Sequence, residues 1–350
     1  MLHHGSFVYP KRVQPGDKVA VLSPSAGLPE IFPGVYETGL RRLREQFHLE
    51  PVEYPTTRKM HSPLEERARD VHAAFADPEI KAIIASIGGE DQLKLLKYLD
   101  AELLKAHPKP FFGHSDNTNL HIFLWNLGIV SYYGGSIMVH FGRAGAMHPY
   151  SVRALQQALF EGGEHELTPA PEYNDEDVDW SDSEKQLRQP EMFPNTGWKW
   201  RNAEGTIEGT IWGGCLDIIG WQLFAGKYIL PVETYAGKIL YLETSEELPS
   251  ATYVYRVLVG MGERGLLQQF PAILVARPKA WALNQRNTPD MKAKFVAEQE
   301  EAILAALNEY HARAMAVFNL DFGHTDPQCI IPNGGKVRID GHQKRIFVTY

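Results

Sequence analysis

At 350 residues the chain exceeds the usual span of one compact core, and its composition, 44% hydrophobic and 22% charged, is that of an ordinary folded protein. Thirty-five Lys plus Arg against 43 Asp plus Glu give a net charge of −8 with the basic residues scattered, which argues against a nucleic-acid partner. The two cysteines, Cys215 and Cys329, fit neither a disulfide framework nor a zinc spacing, and no segment approaches the roughly 18 apolar residues of a membrane span, so a cytoplasmic protein without a membrane partner is expected.

From Lys18 to about Phe160 short β-branched runs alternate with helical stretches. The pattern predicts a strand at Lys18–Ser23, helices over Val35–Phe47 and Leu64–Ala76, a buried strand at Ala82–Ile87 and a helix over Asp91–Leu99. A short strand at Pro110–Phe112, a helix from about Asn117 to Leu127 and a strand at Ile129–Tyr133 complete the series. Such alternation predicts a mostly parallel, Rossmann-like sheet with helices on both faces. Between Pro169 and Pro194 acids, among them Glu172, Asp175, Glu176, Asp177, Asp179, Asp182 and Glu184, crowd a stretch of little periodicity, a long loop or linker. Beyond it Thr206–Trp212, Lys238–Glu243 and Ala272–Ala276 read as strands and Met291–Ala314 as a long helix, a second, mixed α/β domain. The expected division is residues 1–165, an acidic linker over 166–205, and 206–350.

The strongest chemical signal is Gly113-His114-Ser115-Asp116-Asn117 between an apolar strand and an amphipathic helix. A serine at such a turn projects its hydroxyl clear of the sheet, and the helix N-terminus favours negative charge beside it. Asn117 stands where the common elbow has glycine, and it tolerates left-handed backbone angles. A Ser115 or Asp116 that merely caps the helix is the competing reading. Strand Ala82–Ile87 runs into Gly88-Gly89-Glu90-Asp91 at a helix start, so backbone N–H groups near Gly89 and Asp116 could face one oxyanion.

Fourteen histidines compete for the role of base. His324 stands out at the end of an apolar strand, late in the chain, in Phe322-Gly-His-Thr-Asp, while His114 is a weaker candidate. Glu243 closes the apolar run Lys238-Ile-Leu-Tyr-Leu, too hydrophobic a place for a casual charge. Glu246 and Glu247 read as helix-start acids. Gly260-Met-Gly-Glu-Arg-Gly265 matches a dinucleotide fingerprint without the βαβ context it needs, and no metal-binding or phosphate-loop motif occurs, so no metal or cofactor is expected.

Taken together, Val19-Ala-Val-Leu-Ser-Pro-Ser, Ala85-Ser-Ile-Gly-Gly-Glu-Asp, Phe112-Gly-His-Ser-Asp, Gly209-Thr-Ile-Trp-Gly-Gly-Cys-Leu, Leu240-Tyr-Leu-Glu-Thr-Ser-Glu-Glu and Phe322-Gly-His-Thr-Asp resemble, in order, the serine LD-carboxypeptidases. These Ser-Glu-His peptidases include murein tetrapeptide carboxypeptidases and microcin C self-immunity proteins, and the acidic insert with Trp180 looks more like the microcin branch. The resemblance implies Ser115 as nucleophile, His324 as base, Glu243 as its orienting acid, oxyanion donors at Gly89 and Asp116, and a homodimer. It further implies that Trp180, Cys215 and Glu90 meet the substrate, a small peptide or an aminoacyl-nucleotide, with Trp180 stacking on a nucleobase. One departure is Gly213-Gly214-Cys215-Leu216, where the family usually has Gly-Gly-Asn-Leu. A His324 nitrogen is expected within about 3 to 4 Å of the Ser115 hydroxyl. The rivals are murein tetrapeptide cleavage by the same residues and a catalytically silent peptide- or nucleotide-binding module.

Overall fold

The computed structural model describes residues 6–350. In chain order its strands are β1 Lys18–Leu22, β2 Glu50–Glu53, β3 Ile80–Ala85, β4 Phe111–Gly113, β5 Ser131–Tyr133, β6 Glu164–Leu167, β7 Glu172–Tyr173 and β8 Phe193–Pro194. They continue with β9 Lys199–Arg201, β10 Thr206–Cys215, β11 Ile239–Glu243, β12 Ala272–Ala276, β13 Met315–Leu320, β14 Ile331–Asn333, β15 Lys336–Asp340 and β16 Arg345–Thr349. One sheet runs β14-β5-β4-β3-β1-β2, parallel throughout except for β14, which pairs antiparallel with β5. A second, mixed sheet runs β6-β16-β15-β10-β11-β12-β13-β9, with β10 to β13 as its parallel centre. The expected α/β class, one mostly parallel sheet and one mixed, is therefore what the chain adopts.

The central strands carry continuous apolar runs because helices cover both of their faces: Val19 to Leu22 and Ala82 to Ala85 are all buried. Leu64–Ala76 forms a helix with the expected ends, whereas the segment after Asp91 is helical only over Gln92–Leu95 before a 3₁₀ turn at Leu96–Tyr98. The long helix spans Pro289–Tyr310 rather than reaching Ala314. Thr288 caps its start, and His311 leaves the helical region so that Met315 can enter β13.

The helix Thr118–Asn126 joins the two sheets. Its sequence, Thr-Asn-Leu-His-Ile-Phe-Leu-Trp-Asn, offers no polar face, and residues 118 to 122 are fully buried. Trp125 stacks on Tyr235 with ring centroids 5.6 Å apart and donates to the Ile211 carbonyl at 3.2 Å, while Thr118 Oγ1 accepts the Cys215 N–H at 3.0 Å. The position of Ser115, at the head of this helix, is thereby tied to the end of β10.

The acidic stretch is not structureless. It holds the β7–β8 hairpin and a helical turn at Ser183–Gln186, and lysines of the body pair with the acids at 175 to 177. Lys292 meets Asp175 and Glu176 at 2.7 and 2.6 Å, Lys279 meets Asp177 at 2.7 Å, and Arg143 donates to Gln189 at 2.6 Å.

Candidate active site

Ser115 follows β4 with a backbone φ of +62°, a conformation that non-glycine residues rarely hold, and the 3₁₀ turn Ser115–Asn117 leads straight into the joining helix. The left-handed residue is thus the serine itself. Asn117 is right-handed (φ −62°) and works through its side chain, donating to the Ile87 and His114 carbonyls at 3.0 Å and accepting from Gln92 at 2.9 Å. The role foreseen for Asn117 is corrected accordingly: it replaces the glycine of the elbow by bracing the turn rather than by backbone freedom.

Glu243 ends β11 and is 2% exposed. Its Oε2 lies 2.6 Å from Nδ1 of His324, and its Oε1 accepts the Tyr133 hydroxyl at 2.6 Å. The same Tyr133 oxygen accepts the Ser115 backbone N–H at 2.9 Å, so one phenol links the serine turn of the first sheet to the carboxylate of the second. Burial, reinforced by Glu243, pushes the Tyr133 phenol well above its ordinary value and keeps it a neutral donor.

Burial pulls the His324 imidazole toward neutrality, but Glu243 and Glu246 outweigh it and hold the ring well above its usual pKa. Nε2 of His324 faces Glu246 Oε2 at 2.7 Å. The expected hydrogen bond to the Ser115 hydroxyl is not formed among the described residues; the charged ring lies between two carboxylates instead. Glu246 is therefore no helix-start acid, since the next helix begins at Ala251 with Ser250 as its cap. The nearby histidines are of a different kind. Burial first, then His324, drives His114 well below its ordinary value, and His121 is lowered by burial to about 4 while bridging Ser131 and the Gly113 carbonyl.

Ser115, His324, Glu246, Gly89, Glu90, Cys215 and Trp180 all line one cavity of about 790 Å³. Asp116 does not share their exposure: its side chain is fully buried, taking hydrogen bonds from Ser25, Gln92 and Asn119, so only its backbone could face an oxyanion. Gly88 is the closest approach of the glycine turn to the serine. A Cβ there would stand 3.1 Å from Ser115 Oγ and 3.4 Å from the Asp116 nitrogen, space that only glycine leaves open. Trp180 packs edge-on to Phe32 at 5.5 Å and is partly buried. Cys215 is 1% exposed, pairs in register with Glu243, and directs its thiol to Asp217 at 3.5 Å; burial and these two acids keep the thiol protonated.

Sequence reasoning missed Tyr133, Asp217 and the part played by Glu246, and it set the approach of the Gly-Gly turn at Gly89 where Gly88 stands nearest the serine. The fingerprint glycines at 260 to 265 fall at the end of the helix Ala251–Glu263, where Gly262 packs against the Tyr310 ring.

The family model for the LD-carboxypeptidase N-terminal domain matches residues 19–134, and that for the C-terminal domain matches residues 208–339. The chain belongs to the LD-carboxypeptidase family. It is accordingly a serine-type LD-carboxypeptidase-like hydrolase. Among LD-carboxypeptidase relatives, the microcin C7 self-immunity protein MccF of Escherichia coli is 24% identical over 82% of this chain and 78% of its own. A Bacillus subtilis protein bearing a murein peptide carboxypeptidase name is 26% identical over 97% of this chain and 93% of its own. The crystal structure of an MccF-like protein from Streptococcus pneumoniae in complex with AMP superposes with a TM-score of 0.83 at 27% identity, covering 95% of this chain and 99% of that one.

Proposed function

We propose that the protein cleaves an amide bond through an acyl-enzyme on Ser115, with His324 as general base and Glu243 orienting it. The observation that carries this reading is the Glu243–His324 pair, Oε2 to Nδ1 2.6 Å, whose imidazole lines one cavity with a serine held at φ +62° on a strand-to-helix turn. Glu243 fixes the ring so that Nε2 is the working nitrogen. Once a substrate displaces Glu246 and the Nε2 proton is released with it, the neutral His324 takes the Ser115 proton as the hydroxyl attacks the carbonyl. Backbone N–H groups of Asp116 and the Gly88-Gly89 turn receive the oxyanion; the Ser115 N–H is engaged by Tyr133. His324 then protonates the leaving amine and activates water against the ester.

For the substrate we favour an aminoacyl- or peptidyl-nucleotide. The AMP held by the Streptococcus pneumoniae protein and the aromatic rim formed by Trp180 and Phe32 support it. The murein reading is supported by the name of the Bacillus subtilis relative. A homodimer belongs to the proposal through the family resemblance. The test is hydrolysis of an aminoacyl-sulfamoyl adenosine and a murein tetrapeptide in parallel, together with labelling by a fluorophosphonate. Ser115→Ala should abolish both turnover and label. Retained turnover in that variant would refute the assignment.

A further inference from the structure

The charges that line the cavity do not balance. Each of its arginines and lysines is already matched: Arg67 holds Asp91 through both carboxylate oxygens at 2.8 Å, Arg143 holds Asp326 at 2.8 Å and Lys279 holds Asp177 at 2.7 Å. Glu90, Asp217 and Glu247 line the same cavity, and among the described residues none of them has a cationic partner. His324 is committed to Glu243 and Glu246.

Asp217 is the most telling of the three. It is 8% exposed, and its Oδ2 accepts only from neutral donors, the Ser245 N–H at 3.2 Å and the Cys215 thiol at 3.5 Å. A carboxylate so far withdrawn from water is ordinarily paired with a cation. Beside it the Ser245 hydroxyl, on a cavity-lining residue 7% exposed, has no hydrogen-bond partner among the described residues. Buried hydroxyls nearly always find a partner, so an unpaired one beside an unpaired carboxylate on the cavity wall is available to a ligand. Burial, then Asp217, Glu246 and Glu90, push the Glu247 carboxyl above its ordinary value, a like-charge stress that a bound cation would relieve.

We infer that Asp217, Glu247, Glu90 and the Ser245 hydroxyl form a subsite for a cationic group, an ammonium or guanidinium on the acyl residue whose carbonyl Ser115 attacks. The subsite rests on the hydrolase reading and narrows its substrate class. It belongs to the acyl unit because Asp217 and Ser245 to Glu247 follow directly from the ends of β10 and β11, the strands that bring Cys215 and Glu243 together. The aromatic rim at Trp180 comes from a separate segment. A neutral or acidic acyl side chain would leave the three carboxylates uncompensated, and an acidic one would add to their repulsion.

The experiment measures kcat/KM for aminoacyl-sulfamoyl adenosines that differ only in the acyl group: lysyl, norleucyl, glutamyl and Nα-acetyl-lysyl. Lysyl should exceed norleucyl by roughly 10- to 100-fold, the scale of a hydrogen-bonded charge, with glutamyl slowest. Should lysyl and norleucyl be equal while the Nα-acetyl compound falls, the cation read by the subsite is the α-ammonium. In either case Glu247→Gln, a change on an exposed side chain, and Asp217→Asn should shrink the preference, and Glu247→Lys should turn it toward glutamyl. Equal kcat/KM across all four compounds, or a preference that Glu247→Gln and Asp217→Asn leave untouched, would overturn the subsite while leaving the hydrolase intact. No cleavage of any of them, nor of a murein tetrapeptide, would remove the hydrolase reading and the subsite together.

Discussion

Tyr133→Phe removes one oxygen atom and tests whether the two sheets are aligned through it. The phenol is fully buried and, beside a long contact from the Thr118 hydroxyl at 3.5 Å, makes two short bonds, accepting from the Ser115 N–H at 2.9 Å and donating to Glu243 Oε1 at 2.6 Å. The second is charge-assisted, of a kind worth roughly 1.5 to 3 kcal/mol, and its loss leaves a buried carboxylate oxygen unsatisfied. The ring itself keeps its packing, edge-on to Tyr241 at 5.4 Å, so no cavity term adds to this. Glu243 retains His324 on its other oxygen, so the triad should survive in outline but lose the fixed angle between serine and base. A loss of about 2 to 3 kcal/mol, felt mainly where the serine is activated, lowers kcat by roughly 30- to 150-fold with KM little changed. Fluorophosphonate labelling of Ser115 followed by mass spectrometry, beside steady-state kinetics and a thermal melt, reads the effect directly. A Tyr133→Phe variant that labels and turns over at the wild-type rate would show that Tyr133 serves packing alone.

Ser115→Ala and His324→Ala should each cost several powers of ten in turnover, and the double variant little more than either alone; additive losses in kcat would show that the two residues do not share a step. Glu246→Gln removes one of the two carboxylates that raise His324, leaving Glu243 and the neutral His114, whose ring lies 5.3 Å away, as its titratable neighbours. Because the base must be deprotonated to act, the acidic limb of the kcat/KM profile should move to lower pH in that variant, and an unmoved limb would contradict the Glu246 contact. The same raised value carries a stability term with a definite sign: His324 adds stability below its unfolded pKa of about 6.5 and loses it as pH rises through the higher folded value, which urea titrations across that window would register. Trp180→Ala should weaken binding of an aminoacyl-adenosine analogue by roughly 1 to 3 kcal/mol and leave a murein peptide nearly unaffected. Equal losses on the two would mean that the indole, already packed on Phe32, only anchors its loop.

Where local sequence decides the outcome, the chain was readable. The apolar runs of β1, β3 and β12 announce strands buried on both faces, and Leu64–Ala76 shows the period of an amphipathic helix. Glu243 and His324 were visible because each ends such a run with a residue that does not belong in it. What escaped depends on pairings that no local pattern encodes. Tyr133 is one apolar-looking residue in a three-residue strand until β11 places Glu243 opposite it. Asp217 and Glu246 gain meaning only from the β10–β11 register and from the return of the chain after β13. The helix over Leu216–Ala225 went unread for a related reason: it is apolar nearly all round and gives no 3.6-residue contrast.

The strand β14 lies seven residues beyond His324 and completes the edge of the sheet that carries Ser115. The histidine therefore rides on a span moored at one end to β13 in the second sheet and at the other to β5 in the first. Such a span works as a tie-rod: rotation of one sheet against the other is transmitted to the imidazole. The arrangement also forbids dissection of the protein by its order along the chain. A fragment ending before β14 would expose the backbone of β5 as an open edge, ready to pair with a neighbouring molecule. Expressed apart, the two halves of the sequence should aggregate or recombine, and catalysis should return only with recombination.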